Sequence, residues 1–76
     1  MSAKLPVVTA KEVARIAQRL GFELRRQKGS HAIYIRATDG FRVVIPMHSG
    51  ADLKRKTLLG IVGDLGISVE EFAKLL

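Results

Sequence analysis

Phe22-Glu23-Leu24-Arg25-Arg26-Gln27-Lys28-Gly29-Ser30-His31-Ala32-Ile33-Tyr34-Ile35-Arg36-Ala37, continued by Thr38-Asp39-Gly40 and Arg42-Val43-Val44-Ile45-Pro46, is the stretch that decides the fold. Phe22 to Arg26 begins with apolar and polar residues in alternation, which predicts a first strand over about 22–27. Lys28-Gly29-Ser30 reads as a turn. His31 to Ala37 reads as a second strand, with His31, Ile33 and Ile35 on one side and Ala32, Tyr34 and Arg36 on the other. Asp39-Gly40 tolerates the positive φ of a tight hairpin, so Thr38-Asp39-Gly40 connects to a third strand, Arg42 to Ile45. Pro46 ends it, because proline has no N–H for a ladder. The product is a three-stranded antiparallel meander.

Upstream, Leu5 to Val8 belongs to a short extended lead-in over residues 1–8. Thr9 and Glu12 have the spacing of a capping box, in which hydroxyl and carboxylate each satisfy a free backbone amide. Val13, Ile16, Ala17 and Leu20 follow at i, i+3, i+4 and i+7, one face of a helix over about 10–20, and Gly21 suits its stop. Downstream, Met47 to Asp52 is a loop. Leu58, Ile61, Val62 and Leu65 repeat the helical spacing, which predicts a second helix over about 58–65 with Thr57 as its N-cap. Gly60 and Gly63 would each cost it ~1 kcal/mol relative to alanine unless they serve close packing on the sheet. Ser68 and Glu71 form a second capping box, opening a short last helix with Val69, Phe72, Ala73 and Leu76 on one face. The expected fold class is therefore α+β: a two-layer sandwich of helix, three antiparallel strands and helix, with a short C-terminal helix. One sheet face stays free for solvent or a partner.

Composition narrows the function. Seventy-six residues suit a single domain over 1–76 with a modest core. The absence of cysteine removes disulfides, thiolate nucleophiles and Cys-based zinc sites. No run approaches the ~18–20 apolar residues of a membrane span, and the start lacks a signal-peptide hydrophobic region, so a soluble cytoplasmic protein without membrane contact is expected. Residues 25–56 hold eight bases, Arg25, Arg26, Lys28, Arg36, Arg42, Lys54, Arg55 and Lys56, against Asp39 and Asp52; this segment alone accounts for the whole net charge of +6. Charge concentrated in this way points to a polyanion, with nucleic acid ahead of membrane because no strongly basic amphipathic helix is present.

Chemistry must come from few groups. The two histidines, His31 and His48, have no i, i+4 relation, so no metal site and no cofactor is expected. There is no phosphate-binding glycine motif, and Ser30 beside His31 is not a triad, since strand neighbours point to opposite faces. Proton transfer remains. A general base that takes the proton of an RNA 2′-hydroxyl lets that oxygen attack the adjacent phosphate, while nearby cations stabilise the charge developing on it. Histidine titrates near ~6.5 and suits this work. Arg25, Arg26 and Lys28 supply charge, with Gly29 and Ser30 for close approach and a hydrogen bond. Lys54, Arg55 and Lys56 lie just before a helix N-terminus, where backbone amides also hold phosphate. Composition and spacing alone favour a polar strand-end role for His31 over a catalytic one. Alternation puts it on the side of Ile33 and Ile35, so its place at the strand's edge must give it access to solvent. His48 reads as a solvated loop residue, and Tyr34 and Phe41 as strand residues packing on neighbours.

Taken together, Leu-Gly-Phe after an amphipathic helix, Arg26-Gln27-Lys28-Gly29-Ser30-His31, the Asp-Gly hairpin, Arg42-Val43-Val44-Ile45-Pro46-Met47-His48, Thr57-Leu58 after Lys54-Arg55-Lys56 and Gly66-Ile67-Ser68-Val69-Glu70-Glu71-Phe72 resemble the HicA toxins, or YcfA-like mRNA interferases. The resemblance covers about residues 5–76. It departs at Lys56, where the family usually has glycine. It implies a fold similar to a double-stranded-RNA-binding domain, and a ribonuclease that cleaves mRNA without a metal and halts translation. It also implies a HicB-like antitoxin that binds the toxin in a hetero-oligomer. The family's catalytic histidine corresponds to His31 and the glycine of its Gly-Ser-His element to Gly29. The alternative that the residues leave open is an RNA-binding module of the same fold without catalysis.

Overall fold

In the computed structural model, described over residues 5–48 and 51–76, the elements run α1 (Ala10–Arg19), β1 (Glu23–Lys28), β2 (His31–Arg36), β3 (Phe41–Pro46), α2 (Arg55–Leu65) and α3 (Val69–Leu75). Residues 1–4 of the expected lead-in, and Ser49 and Gly50 of the expected loop, lie outside the described residues. The strands form one antiparallel sheet in the order β1-β2-β3. The helix–meander–helix order is the one that a double-stranded-RNA-binding-like fold requires.

α1 starts where the capping box puts it. Thr9 Oγ1 accepts the Glu12 amide, and Glu12 returns a carboxylate oxygen to the Thr9 amide at 2.9 Å. Val13, Ile16 and Ala17 are buried, joined by Ala10 and Ala14. They meet Tyr34, Val43 and Ile45 of the sheet and Leu58, Ile61, Val62 and Leu65 of α2 in one core. α3 is capped by the reciprocal Ser68–Glu71 pair and drives Phe72 fully into that core, while Leu76 stays exposed.

α2 departs from expectation. It begins at Arg55 with Lys54 as N-cap, three residues before the predicted start, and Thr57 lies inside its first turn. The cause is long-range. Asp52 bridges Thr9, and the Leu53 amide donates to the Val8 carbonyl at 2.9 Å, so the chain is held against the lead-in until Leu53 and turns into helix directly after it. No side chain caps this helix. Gly60 and Gly63 do not serve close packing either: both are exposed, and a Cβ added to either meets nothing within 4 Å. Gly60→Ala and Gly63→Ala should therefore each raise the unfolding free energy by ~1 kcal/mol, measured by urea titration.

The β2–β3 connection is organised by Arg36. Its guanidinium donates to the Asp39 carboxylate (2.8 Å from Nη2) and to the Leu20 carbonyl (3.0 Å), and lies over the rings of Phe22 and Phe41. Asp39 also accepts the Phe41 amide at 3.1 Å. The Arg36 hydrogen bonds hold the Asp39 carboxyl below its ordinary range. A lowered folded-state pKa contributes stability at neutral pH that is lost as pH falls through it. Asp39→Asn should therefore lower the melting temperature at pH 7, and the gap from wild type should close in acid.

Candidate nucleic-acid interface

The expectation for His31 needs correction. It does lie on the side of Ile33 and Ile35, but that side faces away from the helices. Ala32 and Tyr34 are the buried residues of β2, paired with the buried Ile45 and Val43. His31 is exposed because it belongs to the open sheet face, at the start of the central strand, rather than because it sits at an edge.

Cross-strand partners share a face, so the pairing defines what surrounds it. Lys28, His31 and Pro46 form one row across the open face. Arg26, Ile33 and Val44 form the next, and Glu23, Ile35 and Arg42 the third. An irregularity in β1 sets this arrangement. The register shifts between Leu24 and Arg26, leaving Arg25 as the extra residue of a β-bulge. An uninterrupted strand would have carried Arg25 and Gln27 to the open face and Arg26 and Lys28 to the other. The bulge turns Arg26 and Lys28 toward the side of His31.

The turn is equally specific. Lys28 pairs with His31 across the two-residue connection Gly29-Ser30, and Gly29 has φ 59°. A positive φ at the first central position is the hairpin geometry that glycine permits. A Cβ here would meet nothing within 4 Å, so the demand for glycine is conformational. The Ser30 carbonyl accepts the Met47 amide, which ties the turn to the segment leaving β3. The His48 amide then donates to the Pro46 carbonyl at 3.1 Å, folding the chain sharply at Met47.

These ties open a groove of about 560 Å³ at this end of the sheet, lined by His31, Pro46, His48, Asp52, Lys54 and Thr57 among others. The volume lies within the ~300–1,000 Å³ usual for small-ligand sites. The structure thus brings together His31, Lys28 and Lys54 of the expected site and adds His48, for which the sequence predicts only a solvated loop position. The other cations disperse. Arg25 borders a separate depression with Glu23 and Ile35, and Arg55 borders one beside Leu5, Pro6 and Val7. Arg55 and Lys56 stand inside α2 rather than before it. Tyr34 is buried and Phe41 is about half-exposed beneath Arg36. Among the described residues no group of three or more His, Asp or Glu converges as metal ligands, and no helix is long and apolar enough to cross a membrane.

Comparison with known proteins bears on this surface. One family model, described as "HicA toxin of bacterial toxin-antitoxin", matches residues 10–67, from the start of α1 to just past α2. No curated protein matches the sequence.

Proposed function

Because this chain belongs to the HicA toxin family of bacterial toxin–antitoxin systems, we propose that it is an endoribonuclease that cleaves mRNA, with His31 in proton transfer at the scissile phosphate. The observation that carries the reading is the placement of His31. It is exposed at the head of the central strand, opposite Lys28, in a groove that Lys54 also lines.

Cleavage of RNA within its own chain needs a base for the 2′-hydroxyl proton and positive charge near the phosphate. His31 supplies the first. Lys28 and Arg26, placed on this face by the bulge, and Lys54 in the groove lining supply the second. The start of α2 adds to it. Three consecutive cations stand on the positive end of the helix dipole with no acid in its first turn, an arrangement that costs about 0.3–1 kcal/mol per charge. A phosphate bound there is attracted both by these cations and by the free backbone amides of the helix end. Arg25, Arg55 and Lys56 do not line the groove and are assigned to the longer RNA backbone.

A toxin of such a system has an antitoxin partner. We assign a HicB-like protein to that role, complementary in charge to the basic open face. The ribonuclease reading is tested by incubating the purified protein with RNA in EDTA. Fragments ending in 2′,3′-cyclic phosphate and 5′-hydroxyl are expected, and a 2′-deoxy residue at the cut site should abolish cleavage there. Intact RNA, with salt-sensitive binding, would instead identify a non-catalytic RNA-binding module.

A further inference from the structure

We propose that His48 is a second catalytic residue, the general acid that protonates the leaving 5′-oxygen. The proposal rests on the ribonuclease reading above and extends it from one histidine to two. The chain contains two histidines, at positions 31 and 48, and both line the same groove although they come from different elements. Two backbone hydrogen bonds fix this. The Met47 amide is held by the Ser30 carbonyl, immediately before His31, and the His48 amide is held by the Pro46 carbonyl, opposite His31. The turn that presents one imidazole therefore also presents the other.

The chemistry requires two proton-transfer groups. The 2′-oxygen loses its proton to a base and forms a bond to phosphorus. The bond from phosphorus to the 5′-oxygen breaks, and that oxygen takes a proton from an acid. The products are a 2′,3′-cyclic phosphate and a 5′-hydroxyl, so one proton leaves the substrate and one enters it. Attack and departure occur roughly in line on opposite sides of phosphorus, so the base and the acid must stand apart. Two histidines that line one groove from different elements, a strand and the loop after β3, are suited to that division of work. Charged groups beside the pair are Lys28, opposite His31 in the sheet, and Asp52 and Lys54 in the groove lining.

A sulfur substitution tests the assignment. A leaving thiolate needs no proton, so an RNA carrying a bridging 5′-sulfur at a linkage the wild type cuts bypasses the acid and not the base. His48→Ala and His48→Gln should cleave ordinary RNA about 10²–10⁴-fold more slowly than wild type and recover to within about tenfold on the sulfur-bridged RNA. His31→Ala should be slow on both. If His48→Ala cuts ordinary RNA at the wild-type rate, or is slow without rescue by sulfur, the acid role is overturned while the ribonuclease reading stands. Rescue of His31→Ala in place of His48→Ala overturns the assignment of acid and base. If wild type cuts neither RNA, or if His31→Ala cuts as wild type does, the reading beneath the proposal fails.

Discussion

Replacing His31 by alanine should slow RNA cleavage by about 10²–10⁴-fold, the usual worth of a positioned acid or base, and leave thermal unfolding where it was. The two halves of this expectation have separate grounds. The loss follows from chemistry: the imidazole at the head of the central strand has a ring nitrogen that can accept the 2′-hydroxyl proton, and an alanine side chain has none. The unchanged stability follows from exposure. His31 is solvent-facing, and among the described residues its imidazole makes no hydrogen bond to the protein, so the substitution should fall within about 0.5 kcal/mol of wild type. Cleavage rates on a defined RNA, paired with melting curves, check both. In cells, induction of the wild type should arrest growth and induction of the variant should not. Equal rates for the two folded proteins would remove His31 from the chemistry. A large fall in melting temperature would mark it instead as a structural residue.

What made His31 legible was local, and what hid its surroundings was not. The meander follows from alternation and from glycines at its two turns, and the capping boxes at Thr9–Glu12 and Ser68–Glu71 are satisfied within four residues of chain. Such signals need no partner. The orientation of β2 does. Both of its sides are apolar in sequence, and the bulkier pair, Ile33 and Ile35, suggests the wrong one. The covered side is chosen by β3, where Val43 and Ile45 reach the helices and pair with Tyr34 and Ala32. The bulge at Arg25 is a property of two strands in register and leaves no mark in either alone, yet it decides which arginine shares the open face with His31. The start of α2 is similar: Thr57 carries the signature of a cap, but the ties of Asp52 and Leu53 to the lead-in begin the helix earlier. The sequence carries no sign of His48 beside His31, because their sharing one groove depends on the hydrogen bond from Met47 to Ser30, between residues far apart in the chain.

The largest expected effect on stability lies in the core, outside the groove lining. Phe72→Ala should lower the unfolding free energy by about 3–5 kcal/mol, as aromatic truncation in a packed core does. Phe72 is 0% exposed and is the one fully buried residue of α3. A helix of seven residues is not stable by itself, since helices below ~12–15 residues are marginal in water. α3 therefore holds its place through Phe72, the Ser68–Glu71 box and the bond from the Arg19 guanidinium to the Leu75 carbonyl. The matched family region ends at residue 67, so α3 lies beyond it, but the core does not end there. A chain of 76 residues has a total stability of only about 4–11 kcal/mol at the usual 0.05–0.15 kcal/mol per residue, so the expected loss consumes much of it. Urea unfolding should show a midpoint far below that of wild type, and cleavage by the variant should fail on warming at temperatures the wild type tolerates. His31→Ala should show the reverse pattern, with stability kept and activity lost. A Phe72→Ala protein that unfolds within about 1 kcal/mol of wild type would show that α3 is an appendage and that the sheet, α1 and α2 fold without it.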